Sequence, residues 1–181
     1  LCMSGDPPGG GDHPEAKGVF DLDAMGLLRA AGALQSGVDM AGNELRGTPS
    51  FTLGAVANPG ARDLEVELRR MEEKVELGAS FCQTQAVYDL AMFERFMASA
   101  GGFGVPILAG TIVLKSARMA RNLNANLPGV SIPESIVREL APAIPEGRDC
   151  ACATALESAV ITRLQHIPEE TSQRLSLFLD K

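Results

Sequence analysis

The sequence predicts an α/β protein in which parallel strands alternate with helices, a partial TIM-type (β/α)8 barrel with its first strands missing. Three observations carry this. Short apolar segments alternate with amphipathic ones at the spacing of βαβ units. No G-x-G-x-x-G turn joins a strand to a helix, which disfavours a doubly wound nucleotide-binding sheet. The polar residues Asp6, Asn58, Gln85 and Thr111 each fall where a strand ends, the rim on which a barrel keeps its chemistry.

Leu1-Cys2-Met3 reads as the tail of a strand, ended before Pro7-Pro8 because proline continues neither a helix nor a central strand. Gly9-Gly10-Gly11 follows, a tract that costs entropy to order. It is either a plain surface loop or a loop that closes over a ligand. Residues 21–34 carry Leu22, Met25 and Leu28 at helical spacing, with Asp21 as the expected N-cap. Residues 50–57 suit a strand. Residues 62–78 form the clearest helix, with Leu64, Leu68, Met71 and Val75 in one stripe, Asp63 at its start and Gly78 beyond its end.

Residues 79–85 read as a strand and 89–101 as a helix between Asp89 and Gly101. Residues 105–113 read as a strand, 116–129 as a helix, and 132–140 as a short helix with Pro133 near its first turn. Near-continuous apolar strands such as Ile107-Leu108-Ala109 suit a sheet covered by helices on one face and filled on the other. Residues 1–141 are therefore expected to be the C-terminal part of a barrel. Residues 142–181 are expected to be a diverged helical tail without a final strand. Four strands are about half a barrel, and a whole one needs roughly 250 residues, so truncation is expected.

The net charge of −7 argues against a nucleic-acid surface, which needs clustered Lys and Arg. No apolar run approaches the roughly 18 residues of a membrane span, and no signal peptide is evident. Cys2 and Cys82 lie in apolar strand-like segments as core thiols. Cys150 and Cys152 lack a second pair, and His13 and His166 are the only histidines, so no metal site is expected. The expected compartment is reducing cytoplasm.

Three blocks in order, "SGDPPGGGDHPEAKGVFDLD", "GAVANPGARDLEVELRRMEEKVELGASFCQTQAVYD" and "GVPILAGTIVLKSARMARNLNANLPGVSIPESIVREL", resemble the methylenetetrahydrofolate reductase family over residues 1 to about 140. Within it the chain is most similar to the reductase half of bacterial bifunctional proteins that also carry a homocysteine S-methyltransferase domain. The resemblance implies an FAD-dependent TIM barrel. It would reduce 5,10-methylenetetrahydrofolate to 5-methyltetrahydrofolate with NAD(P)H, in one-carbon and methionine metabolism.

The resemblance also implies roles. Ser4, Gly5 and Asp6 stand where the family has Arg-Gly-Asp at the end of its fourth strand. Asp6 would be the catalytic carboxylate beside flavin and pterin, tuning the flavin and stabilising a developing iminium on the folate. Ser4 removes a cation normally near the flavin. Phe20 aligns with an aromatic near the flavin's nucleotide portion, or is a core residue. Asn58 would contact FAD, Lys74 would reach its pyrophosphate, and Gln85 would pair with the pterin through its amide. Tyr88 is pocket wall or core. The family's general-acid glutamate, on the first strand, has no counterpart here.

Two functional readings follow: a reductase that binds FAD, NAD(P)H and folate, or a non-catalytic half-barrel lacking FAD that acts as an assembly module; without the resemblance, a different TIM-barrel enzyme that binds phosphate is preferred. The second would pair as a homo-oligomer or with another chain, and an upstream methyltransferase domain is compatible with both. Strand alternation makes one structural expectation specific: Phe81, Gln83 and Gln85 face the barrel interior, with Cys82 against the helices.

Overall fold

A computed structural model describes residues 1–5, 8, 12–13, 15–127, 129–141 and 175–177. Four parallel strands, β1 (Gly54–Ala57), β2 (Phe81–Ala86), β3 (Ile107–Gly110) and β4 (Leu175–Leu177), lie side by side in chain order. Cys2 extends the sheet beyond β1: it bridges Ala55 in parallel, its N–H donating to the Gly54 carbonyl at 2.7 Å. A doubly wound sheet reverses its strand order at a switch point; here neighbours follow the chain without reversal, as they do around a barrel.

Leu175–Leu177 corrects one expectation. Those residues lay in the tail read as helical and without a final strand, yet they pair with Ile107–Ala109 of β3. The backbone groups along the outer side of β3 offer a ladder, and that tertiary partner overrides the local helical pattern. The other expected helices of the tail lie outside the described residues.

The helices form where the apolar stripes place them, and their caps explain their limits. α1 (Ala24–Gln35) is capped by Asp23, whose side chain accepts from Gly26 N–H at 2.7 Å. Asp21, the expected cap, lies two residues too early to reach the first turn. Asp63 caps α2 (Leu64–Glu76), accepting from Val66 N–H, and Gly78 turns the chain beyond it at φ 97°. Asp89 caps α3 (Leu90–Ala100), and Ser116 caps α4 (Ala117–Asn126). The short α5 (Glu134–Leu140) starts from Pro133.

The strands β2 and β3 show the alternation. On β2, Cys82, Thr84 and Ala86 are buried, while Phe81, Gln83 and Gln85 are half-buried. Cys82 packs with Ala55, Ala57, Met71, Phe93, Phe96, Ile107 and Ala109 in the main core between sheet and helices. On the opposite face the ring of Phe81 occupies the space that a side chain at Gly54, its register partner, would need. A large residue on one strand against glycine on the next is how a tapering barrel interior is filled. A second core joins Ala86 and Leu114 to α4 and α5 through Ala117, Ala120, Val137 and Leu140.

Candidate functional site

At the C-terminal ends of β1 and β2 the sheet opens into a cleft of about 580 Å³, lined by the N-terminal segment, α1, β1, α2, β2 and the turn after α4. Ser4, Gly5, Asn58, Lys74 and Gln85, nominated from separate stretches of sequence, all line it. Asp6 lies outside the described residues, directly after Gly5. Phe20 does not line the cleft: it stands 62% exposed, its ring folded over Gly18. Thr111 follows the last residue of β3, at the same end of the sheet but outside the cleft lining.

Asn58 is the most constrained member. Its backbone N–H donates to Glu67 Oε1 at 3.0 Å, and its own Oδ1 accepts from Gly60 N–H at 3.0 Å. A backbone N–H can be answered only by the amide oxygen, so the orientation is determined and Nδ2 is left as a donor. Glu67 is 8% exposed and lines the cleft. Sequence reading missed it, although a signal existed. Glu67 and Lys74 interrupt the core-facing stripe of α2 seven residues apart, which puts both on one side of the helix. Two ionisable residues inside an apolar stripe mark a face that looks into a polar site.

Lys74 Nζ donates to the Val56 carbonyl at 2.7 Å. Among the described residues the ladder between the N-terminal segment and β1 is the bridge at Cys2, and this carbonyl takes the lysine in place of a strand partner. One of the three ammonium donors is thereby committed, and among the described residues the other two have no hydrogen-bond partner.

Gln85 sits on a bulge. Cys82 pairs with Ile107 and Gln83 with Leu108, but Ala86 pairs with Gly110, so β2 carries one residue more than β3 over this stretch. Thr84 bridges the irregularity: its hydroxyl accepts from Gly110 N–H at 3.0 Å and donates to the Gln85 carbonyl at 2.7 Å. Bulges re-aim side chains beside functional sites. Gln85 lies within this irregularity and lines the cleft, and its side-chain amide has no hydrogen bond among the described residues.

Tyr88 is not part of this lining; its hydroxyl donates to the Ile112 carbonyl at 2.6 Å, and burial raises its pKa to about 12. Burial likewise pushes the Cys82 thiol up to about 11. Among the described residues no group of three or more His, Cys, Asp or Glu is placed to hold a metal ion. No helix among them is long and apolar enough to cross a membrane.

The family model described as methylenetetrahydrofolate reductase matches residues 1–175. The chain belongs to the methylenetetrahydrofolate reductase family. The family's architecture is the TIM barrel, and the parallel, unreversed sheet agrees with part of one. Among solved structures, an uncharacterized protein from Clostridium thermocellum that binds two copies of 5-methyl-5,6,7,8-tetrahydrofolic acid superposes with a TM-score of 0.52 at 21% identity. The match covers 70% of this chain and 46% of that one, a likeness of fold. A stretch of 47 residues is 40% identical to an S-methyl-5'-thioadenosine phosphorylase of Koribacter versatilis (strain Ellin345), spanning 26% of this chain and 16% of that protein.

Proposed function

We propose that the cleft is the flavin- and folate-facing part of a reductase that converts 5,10-methylenetetrahydrofolate to 5-methyltetrahydrofolate with FAD and NAD(P)H. One observation carries the reading: Ser4, Gly5, Asn58, Lys74 and Gln85, matched to the family from separate blocks, converge on a single cleft. The Clostridium thermocellum neighbour, which binds 5-methyltetrahydrofolic acid, supports a folate ligand.

The donor set suits these ligands. Lys74 has two ammonium donors left for a pyrophosphate, and Asn58 Nδ2 is a further donor beside them. The Gln85 amide offers a donor and an acceptor together, the pattern a pterin edge answers. By the family resemblance Asp6, which follows Gly5 in sequence, would be the catalytic carboxylate. Bound flavin would supply the hydride chemistry; the chain binds, orients and excludes water. Ser4, in place of the family's arginine, contributes a hydroxyl and no charge, so Lys74 carries more of the anion binding.

Titration of the purified protein with FAD and with 5-methyltetrahydrofolate tests this directly. Flavin absorbance retained through gel filtration, with NAD(P)H-dependent bleaching, is the expected result. A colourless protein whose melting temperature neither ligand raises would overturn the reading.

A specific observation favours a second reading, an assembly module without FAD. Leu1 and Met3, beside the thinly paired outer side of β1, are 52% and 51% exposed. Apolar residues along an open sheet edge invite further strands. Light scattering across a dilution series separates the two, since a strict monomer that binds FAD contradicts the module.

A further inference from the structure

The turn between α4 and α5, which follow β3 in the chain, reaches the cleft through Leu127. We propose that Gly129 in this turn is a positioning residue for Asn58. Its missing side chain lets the turn seat against the Asn58 amide and hold it in one rotamer, with Nδ2 left to donate to the cleft ligand and Leu127 as an apolar wall. The inference rests on the reading of the cleft as a ligand site and deepens it.

The contacts make a lock of two glycines. A Cβ at Gly129 would collide with the Asn58 side-chain amide. A Cβ at Gly60 would stand 2.5 Å from the Gly129 carbonyl oxygen, so the two backbones touch where no side chain fits. Asn58 cannot swing aside without cost. Moving its Oδ1 breaks the bond from Gly60 N–H, and its backbone is tied to the buried Glu67. On its other side the turn is anchored by Asn124. The Asn124 amide donates to the Ile132 carbonyl at 2.9 Å and accepts from Ile132 N–H at 2.7 Å, as another strand would. The turn is therefore held from behind and presses on Asn58 in front.

Gly129 also has φ +83°, which alone would strain any other residue. Gly42 separates the two causes, since it has φ +85° and nothing within 4 Å of a Cβ. The test compares Gly129→Ala with Gly42→Ala by NMR, following the side-chain NH2 pair of Asn58, identified as the pair missing from Asn58→Asp. FAD and 5-methyltetrahydrofolate are titrated into the same preparations.

The expected result is that Gly129→Ala shifts the NH2 pair and weakens one of the two probes about tenfold, the worth of one hydrogen bond. Gly42→Ala should do neither. Asn58→Ala should show a similar loss, and adding Gly129→Ala to it should cost no further affinity. An unmoved NH2 pair, or losses that simply add, would overturn the proposal. Gly60→Ala, whose backbone is not in the positive-φ region, displaces the same turn and should move the same pair, so a misfolded Gly129→Ala does not shield the idea. Wild-type protein that binds neither probe would overturn the proposed function instead, and the NH2 pair alone would then decide whether the lock exists.

Discussion

Gln85 illustrates how much a single residue owes to its backbone. It lines the cleft from a bulge that the Thr84 hydroxyl bridges, and its side-chain amide has no hydrogen bond among the described residues. Gln85→Glu should weaken 5-methyltetrahydrofolate binding by about tenfold or more while leaving FAD binding within a small factor, because a carboxylate lacks the donor edge. Parallel titrations check this. Equal folate affinity would remove Gln85 from the site, and loss of FAD alone would move it to the cofactor side.

At the same scale, a buried thiol and a half-buried phenol set an alkaline limit. The Cys82 thiol is raised from 9.0 to about 11 and the Tyr88 phenol from 10.0 to about 12, each chiefly by burial. Both groups hold their protons more tightly folded than unfolded. Between the unfolded and folded values the unfolded state alone ionises, so stability falls as pH rises. The thiol's contribution is lost from about 9 toward 11 and the phenol's from about 10 toward 12. Melting temperatures measured from neutral to alkaline pH should fall through these windows, and Cys82→Ala should flatten the first. A flat curve in the native protein would contradict the raised pKa of both groups.

Among elements, the β2–β3 pair is where architecture and site meet. The Thr84 hydroxyl accepts from the Gly110 amide, and Gly110 admits the close approach because a Cβ there would stand 2.6 Å from the Thr84 carbonyl oxygen. Thr84→Val keeps the shape and removes the hydroxyl, leaving the Gly110 N–H unpaired. It should cost roughly 1–3 kcal/mol in denaturant unfolding and weaken folate binding through Gln85. Thr84→Ser should restore both; a valine variant of native stability would show that the bulge stands without the hydroxyl. The helix caps are a quieter case. Asp63→Ala should lower stability by about 1 kcal/mol by releasing the Val66 N–H, with Asp63→Asn close to native.

On the scale of the whole molecule, the described sheet is open, with Leu1 and Met3 along one side. If that edge drives association, Met3→Lys should shift a concentration-dependent oligomer toward monomer, because a charge on an edge strand opposes pairing. Light scattering before and after the substitution reads this out, and an unchanged mass distribution would exonerate the edge.

The sequence by itself determined the first three strands and the helices before residue 141, because periodicity and caps act over a few residues: the stripe of α2, Asp63 and Asp89 were all legible locally. It determined the family as well, through blocks whose order and spacing are encoded along the chain. Only the tertiary structure decided that Glu67 ties Asn58, that Lys74 completes a carbonyl of β1, and that Gly129 meets the Asn58 amide. It also decided that Leu175–Leu177 pairs with β3 and that Phe20 stands outside the cleft. These outcomes depend on groups distant in sequence meeting at fixed separations. Hydrogen bonding and steric exclusion act over a few ångströms of space, and no local pattern records which distant backbone will arrive there.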